Sequence, residues 1–482
     1  MAEVVLVEPI FGHWDALRTK PTPPLGLLAT ARYVAREFDT VLIDQRLDQN
    51  WRERLLKELD TSPLCVGIHS LTGNQIKHAL QIACFVRENS DVPIVWGGAH
   101  TTLLPEQSLL DPGVDIIVEG EGEATFFELV TALKSGEDLK NVRGLWFEAD
   151  GKPHYSGPRD LIEMDTLPEM PYGLVDFADY LPLEFEKPTF YIESSRGCPN
   201  NCTFCYNKVF HRRRWRAFSA DVFVEELLKA AERFGAKHFY IVDENYSVDI
   251  ERVKRISEAL VGAGVTWTTT GGHIPEVSTL SDADFKLLEK SGCRRLYFGV
   301  ESGSERILKR VGKKLSMDQL FDVNRRLAHV DIIPRYSFIT GLPYERESDI
   351  RKTVELILRV MRENPKATIT ALATYIPYPG SDLYEDTLRY GFEEPKTLAE
   401  WGELKMERSN MPWLSRHDKK VLESLYFLSF FIDSKAKDFV CTKLLSFLAS
   451  VYQPIARFRM RHFFFGLMPE MRLSQSYLDR AN

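Results

Sequence analysis

Apolar positions follow two alternating rhythms along most of this 482-residue chain. Short unbroken runs of β-branched and aliphatic residues read as buried strands, and longer stretches with apolar residues at three- and four-residue spacing read as amphipathic helices. In residues 1–140 the runs are Val4–Val7, Val41–Ile43, Cys65–Ile68, Ile94–Trp96 and Asp115–Val118, with helical patterns near 24–35, 51–59, 75–89, 104–110 and 123–134. Five strands alternating with helices predict a doubly wound, Rossmann-like parallel sheet, which binds ligands beyond the carboxyl ends of its strands. Those ends carry Ser70-Leu71-Thr72-Gly73, Gly97-Gly98 and Glu119-Gly120. Small residues there let a large flat ligand approach the backbone, although plain βα turns would use them too.

The rhythm then breaks and resumes. Residues 141–187 are proline-rich and hold Asp150-Gly151 between two strand-like runs, a hairpin signal inside a connector. From 188 to 382, six strand runs each lead toward a helix, near 190–192, 238–242, 266–270, 295–300, 335–339 and 368–372, which predicts a partial (βα)6 TIM-type barrel. Polar residues mark its strand ends, among them Asp243-Glu244-Asn245, Gly271-Gly272-His273 and Glu301. Residues 383–482 read as a mainly helical C-terminal domain whose end, Arg457–Phe465, mixes basic and aromatic side chains.

Composition narrows the partners. A net charge of −8 offers no basic field for nucleic acid, and 44% hydrophobic content suits a globular, α/β chain with several cores. No apolar run is long enough to span a bilayer, and the start of the chain lacks a basic n-region, so a cytoplasmic monomer is expected.

Seven cysteines without a paired framework fit a reducing compartment, and three of them cluster as Cys198-x3-Cys202-x2-Cys205. Three thiolates so close can share one metal centre. A four-iron cluster normally takes four cysteines, so three would leave one iron open to an external ligand; a zinc site lacking its fourth ligand and an accidental grouping are the other readings.

The strand-like Phe190–Ile192, the exit Arg196-Gly197 and Phe204 between the last two cysteines complete a pattern that resembles the radical S-adenosylmethionine (SAM) superfamily. The preceding order, Pro-Pro-Leu-Gly-Leu, Gly-Ile-x-Ser, Trp-Gly-Gly-Ala-His and Val-Glu-Gly-Glu-Gly-Glu, resembles the cobalamin-binding domain of its cobalamin-dependent branch, including methyltransferases and the anaerobic magnesium-protoporphyrin monomethyl ester cyclase. The resemblance implies a [4Fe–4S] cluster on Cys198, Cys202 and Cys205. It implies SAM contacts from Phe204, Asp243, Glu244, Asn245, Glu301, Arg335 and Gly341: the acidic turn toward the amino group, Glu301 toward the ribose, and Arg335 and Gly341 toward carboxylate and adenine. Cobalamin is implied over Ser70, Leu71, Thr72, Gly73, Gly97, Gly98, Glu119 and Gly120. One departure matters. The D-x-H-x-x-G signature that supplies a histidine to cobalt is absent, leaving only His13 in its loop, so cobalamin without a histidine ligand is expected, with Leu71 and Thr72 nearest its lower face.

The implied activity is methylation of an unactivated carbon, using one SAM to methylate cobalamin and a second to make a 5′-deoxyadenosyl radical. It needs an external electron donor of flavodoxin or ferredoxin type and a small-molecule or lipid-like substrate. A cyclase or rearrangement enzyme is the rival within catalysis, and a cobalamin- or redox-sensing protein the rival outside it. The helical end is expected to cover the barrel, with peripheral membrane contact as its second reading. No residue is singled out as a catalytic acid or base.

Overall fold

The run Val4–Glu8 (β1) is buried on both faces, which only a strand in the middle of a covered sheet can satisfy. It pairs in parallel with Thr40–Asp44 (β2) on one side and Cys65–His69 (β3) on the other. Ile94–Gly97 (β4) and Ile116–Val118 (β5) continue the sheet, giving the order β2-β1-β3-β4-β5. That order reverses between β1 and β3, the place where such sheets open a crevice at their carboxyl ends. The computed structural model describes the chain except for residues 1, 13–14, 16–19, 405–410, 434–442, 467 and 472–482. His13 therefore lies outside the described residues.

The expected hairpin, Leu145–Ala149 (β6) and Lys152–Tyr155 (β7), turns on Asp150 and Gly151, both left-handed as a two-residue type I′ turn demands. It is more than a connector feature: β6 pairs antiparallel with β5, so the hairpin extends the sheet to seven strands. The chain divides into two units, and the first comprises Met1–Leu183 with Tyr206–Arg212 and Glu394–Lys405. The last of these was expected in the C-terminal domain. Its helix Leu398–Gly402 packs instead on Asn74–Asn89, burying Trp401 completely.

The second unit holds the barrel. Its six strands are Lys187–Ile192, His238–Ile241, Thr266–Gly272, Cys293–Glu301, Ile333–Thr340 and a split sixth, Thr368–Ile369 with Ala373–Thr374. Each pairs in parallel with the next. The C-terminal segment bonds this split strand from its open side: Ile369 N–H bonds Asp433 and Leu372 N–H bonds Ser429. Tyr191 stacks on Tyr240, which meets Tyr297 at a tilt, in a row across the first, second and fourth strands. The surrounding helices follow from pattern and caps. Glu347–Glu363 buries Ile350, Val354, Ile357 and Met361 along one stripe, and a Ser281–Asp284 capping box, worth about 1 kcal/mol, starts Asp282–Lys290. Arg416–Ser429 packs on the split strand and Lys443–His462 on Glu347–Glu363, so the helical end does lie on the barrel.

Candidate functional site

The cysteine loop leaves the first barrel strand through Ser195–Arg196, which pairs antiparallel with Arg216–Ala217 and closes the loop at its base. Gly197 sits at φ +84°, a conformation other residues resist, and its N–H donates to Glu244. Thr203 N–H bonds Val311 carbonyl, and Phe204 packs on an apolar cluster that includes Ile307, Leu342 and Tyr375. Phe204 thus anchors the loop from inside. Asn200 and Asn245 amides lie 3.5 and 3.6 Å from Cys198 Sγ, the distance of weak N–H···S bonds. Burial pushes the Cys202 thiol up to about 11, so a thiolate there needs a cationic partner.

Among the described residues no three His, Cys, Asp or Glu converge on a point that would hold one metal ion. A multi-iron cluster gives each thiolate its own iron, and a fixed loop with three thiols and amide donors to sulfur suits it.

Asp243 already has partners within the fold. Its carboxylate is buried and accepts from Ser194 N–H (2.7 Å), Ser194 Oγ (2.6 Å) and Ser195 Oγ (2.6 Å), clamping the second strand to the entry of the cysteine loop. Burial raises it to about 6 in spite of those donors. Glu244 is exposed, and Asn245 is buried with its Oδ1 taken by Ser247. Glu301 ends the fourth strand at φ +68°, an observed strain on the order of 1–2 kcal/mol at the barrel mouth. Its carboxylate lies 3.4 Å from Lys313 Nζ. Lys313 is almost wholly buried, which disfavours its charge, yet Glu301 and Cys202 hold the ammonium above its ordinary range. Sequence reasoning missed Lys313, because one lysine in a Lys-Lys pair carries no signal of burial.

Arg335 is third in an eight-residue strand, far from the carboxyl end, and bonds Tyr297 hydroxyl and Thr368. Gly341, at φ +77°, belongs to the mouth; its N–H donates to Glu345 and its carbonyl accepts from Trp413. His273 ends the third strand, buried, with Nδ1 paired to Glu276 and no hydrogen bond at Nε2 among the described residues. In the basic run after the cysteines, Arg212 donates to Arg159 carbonyl, Arg213 pairs with Asp382, and Arg216 joins the strand pair at the loop base through its backbone.

Burial raises Glu345 to about 8. Because the folded value lies above the ordinary one near 4.5, this group's stabilisation is complete below about pH 4.5 and is lost as pH rises through about 8. Thermal melts of wild type and Glu345→Gln should therefore diverge in favour of the variant between pH 5 and 9. A constant difference across that range would refute the assignment.

In the first unit, Ser70 Oγ and N–H both bond Gly97 carbonyl, and Gly98 sits at φ +107°. A Cβ on Gly98 would lie 2.5 Å from Ser70 carbonyl, so only glycine fits this cradle. The Leu71–Gly73 loop is pinned twice. Leu71 N–H bonds Gln75, which donates to the fully buried Glu8, the acceptor also facing His69 Nδ1 at 3.2 Å. Thr72 Oγ1 lies 3.0 Å from His100 Nδ1; burial pulls His100 to about 4, so it is neutral. His100 meets Trp401 edge-on, and Trp401 donates to Gln107. Gly73, also at φ +107°, faces the carbonyl of Leu404. Glu119 is committed to the hairpin, accepting from Trp146 (2.7 Å) and Tyr155 (2.9 Å), whereas Gly120, at φ +72°, has open space where a side chain would be. His100 stood in the quoted Trp-Gly-Gly-Ala-His run. Trp401, some 300 residues away, gave no signal.

A doubly wound sheet with a glycine cradle at its carboxyl ends, and a parallel half-barrel with a three-thiol loop at its mouth, define a two-cofactor radical enzyme class. The pattern of the Radical SAM superfamily matches residues 192–357, and that of the B12 binding domain matches residues 16–130. An uncharacterized methyltransferase of Pyrococcus horikoshii is 32% identical over 375 residues, covering 75% of this chain and 78% of that protein. The anaerobic magnesium-protoporphyrin IX monomethyl ester cyclase of Synechocystis is 27% identical over 70% of this chain and 68% of its own length. Among solved structures, the radical SAM methyltransferase TsrM of Kitasatospora setae, bound to tryptophan and a SAM analogue, shares the fold with a TM-score of 0.70 at 16% identity, over 95% of this chain and 98% of that one. The chain belongs to the cobalamin-dependent radical SAM family, whose members work with a [4Fe–4S] cluster, SAM and cobalamin.

Proposed function

We propose that this enzyme is a C-methyltransferase acting on an unactivated carbon of a small-molecule or lipid-like substrate. The observation that carries the reading is that one chain holds both a loop with only three clustered thiols and a strand-end cradle for a flat ligand. When bound, the cluster and SAM supply a 5′-deoxyadenosyl radical, and cobalamin carries the methyl group.

The chain's own residues bind and orient. Cys198, Cys202 and Cys205 hold the cluster and leave one iron for SAM. Lys313, rather than Arg335, faces the SAM carboxylate, since it is the buried cation beside the cysteines, and Glu301 accepts from the ribose hydroxyls. Asn245 and Phe204 fix the loop under SAM. In the first unit, Gly97, Gly98 and Gly120 would admit the corrin and Ser70 would set the turn, with Leu71 and Thr72 as the residues that would hold it from the loop. His100 is held by Thr72 and buried, so it orients the loop. Electrons come from an external flavodoxin- or ferredoxin-type donor.

The name of the Pyrococcus horikoshii relative favours methyl transfer. The Synechocystis relative favours a cyclase as the second reading. Product accounting separates them. Anaerobic turnover of the reconstituted enzyme with SAM, reductant and the unmethylated acceptor should release S-adenosylhomocysteine and 5′-deoxyadenosine in comparable amounts. Product formed with deoxyadenosine and no homocysteine species would favour the cyclase.

A further inference from the structure

The helix Lys443–His462 contains no Asp or Glu, in a chain whose net charge is −8. Its buried side, Ala449, Ala456 and Met460, faces the helices Glu347–Glu363 and Arg416–Ser429. Its opposite side is not polar. Val451, Ile455 and Phe458 are 55%, 47% and 57% exposed, and just past the helix Phe464 is 50% exposed. Thirteen large hydrophobic side chains are exposed among the described residues, and four of them, including both phenylalanines, fall within 451–464. At about 100° per residue, Val451, Ile455, Phe458 and His462 project within an arc of roughly 60°. Arg457 and Arg461 flank the arc on one side and Arg459 on the other. Arg461 is exposed; Arg457 is exposed too, with its Nε donating to Ile432 carbonyl at 2.7 Å and the rest of the guanidinium left outward, and Arg459 is held by Glu470.

We infer that this face of Lys443–His462, with Phe464, is a docking surface for an anionic lipid bilayer. An apolar stripe with aromatic residues, bordered by arginines and free of acids along the helix, matches the chemistry of a headgroup boundary: apolar side chains enter the acyl edge while guanidinium groups meet lipid phosphates. A second copy of the chain fits less well. Face-to-face association would bring Arg457 and Arg461 toward their own counterparts, a like-charge contact that association disfavours. No helix among the described residues is both long and apolar enough to cross a membrane, and the proposed contact is a peripheral one. This inference does not depend on methyl transfer.

Cosedimentation of the full chain with large vesicles tests it. Vesicles of three parts phosphatidylcholine to one part phosphatidylglycerol should bind the protein at least tenfold more tightly than pure phosphatidylcholine. Ile455→Ser with Phe458→Ser should weaken binding by about tenfold or more. Arg457→Gln and Arg461→Gln should each weaken it about fivefold at low salt and much less at 0.5 M salt. All these sites are exposed, and unchanged circular dichroism and melting would confirm that the variants fold. Absent binding, equal binding to both vesicle types, or binding indifferent to the substitutions overturns the inference. So does a concentration-dependent dimer in sedimentation velocity that Phe458→Ser abolishes without any vesicle binding, which would assign the face to a second copy.

Discussion

Alanine at Cys198, Cys202 and Cys205 together should abolish iron incorporation and 5′-deoxyadenosine formation while leaving the fold nearly unchanged. The loop's shape does not depend on its sulfurs. It is closed by the Ser195–Arg196 pairing with Arg216–Ala217, tied by Thr203 to Val311, and anchored by Phe204 in an apolar cluster. Removing three partly exposed thiols therefore removes ligands and little packing. Of the other four cysteines, Cys65 and Cys293 are fully buried in strands and Cys84 is on a helix of the first unit, so none of these three can substitute. Iron quantitation and low-temperature electron paramagnetic resonance of the dithionite-reduced protein check it. A triple variant that keeps a reducible four-iron cluster would sink the ligand assignment.

Asp243→Ala should lower stability by on the order of 3 kcal/mol and cut cluster loading sharply. One backbone N–H and two serine hydroxyls, all buried, would lose their acceptor. Each unpaired buried donor costs about 1–3 kcal/mol, partly offset where a hydroxyl can rotate to another acceptor. The loss falls where the first barrel strand becomes the cysteine loop, so thiol placement suffers along with stability. Asp243→Asn keeps one acceptor oxygen and should cost on the order of 1 kcal/mol. Denaturant melts and iron content report both effects. If Asp243→Ala melts like wild type, keeps its cluster and only binds SAM more weakly, then Asp243 contacts SAM as the family resemblance implies, and the clamp is secondary.

Much of this protein was legible in the chain. Unbroken runs such as Val4–Val7 and Ile94–Trp96 mark strands covered on both faces, because only a parallel sheet buries a strand completely. The three-thiol spacing marks its own chemistry, since ligands within eight residues need no tertiary information to be neighbours. Gly98 and Gly341 both adopt a backbone conformation that favours glycine, a property of the residue itself.

What the chain did not disclose is which polar groups the fold consumes. Asp243, Glu119 and Arg335 looked like free ligand contacts, yet each has partners from other elements: serines of the loop entry, the hairpin's Trp146 and Tyr155, and Tyr297 with Thr368. A buried charge must be paired, and pairing depends on which strands become neighbours. The same reason hid Lys313, whose significance comes from burial beside Glu301, and Trp401, which reaches the Thr72–His100 pair only because Glu394–Lys405 returns to the first unit. Local pattern thus determined the two folds and marked the three clustered thiols and the strand-end glycines as candidates. Long-range packing alone decided which carboxylates and cations remain to meet a ligand, because desolvation acts on the folded neighbourhood and not on the sequence.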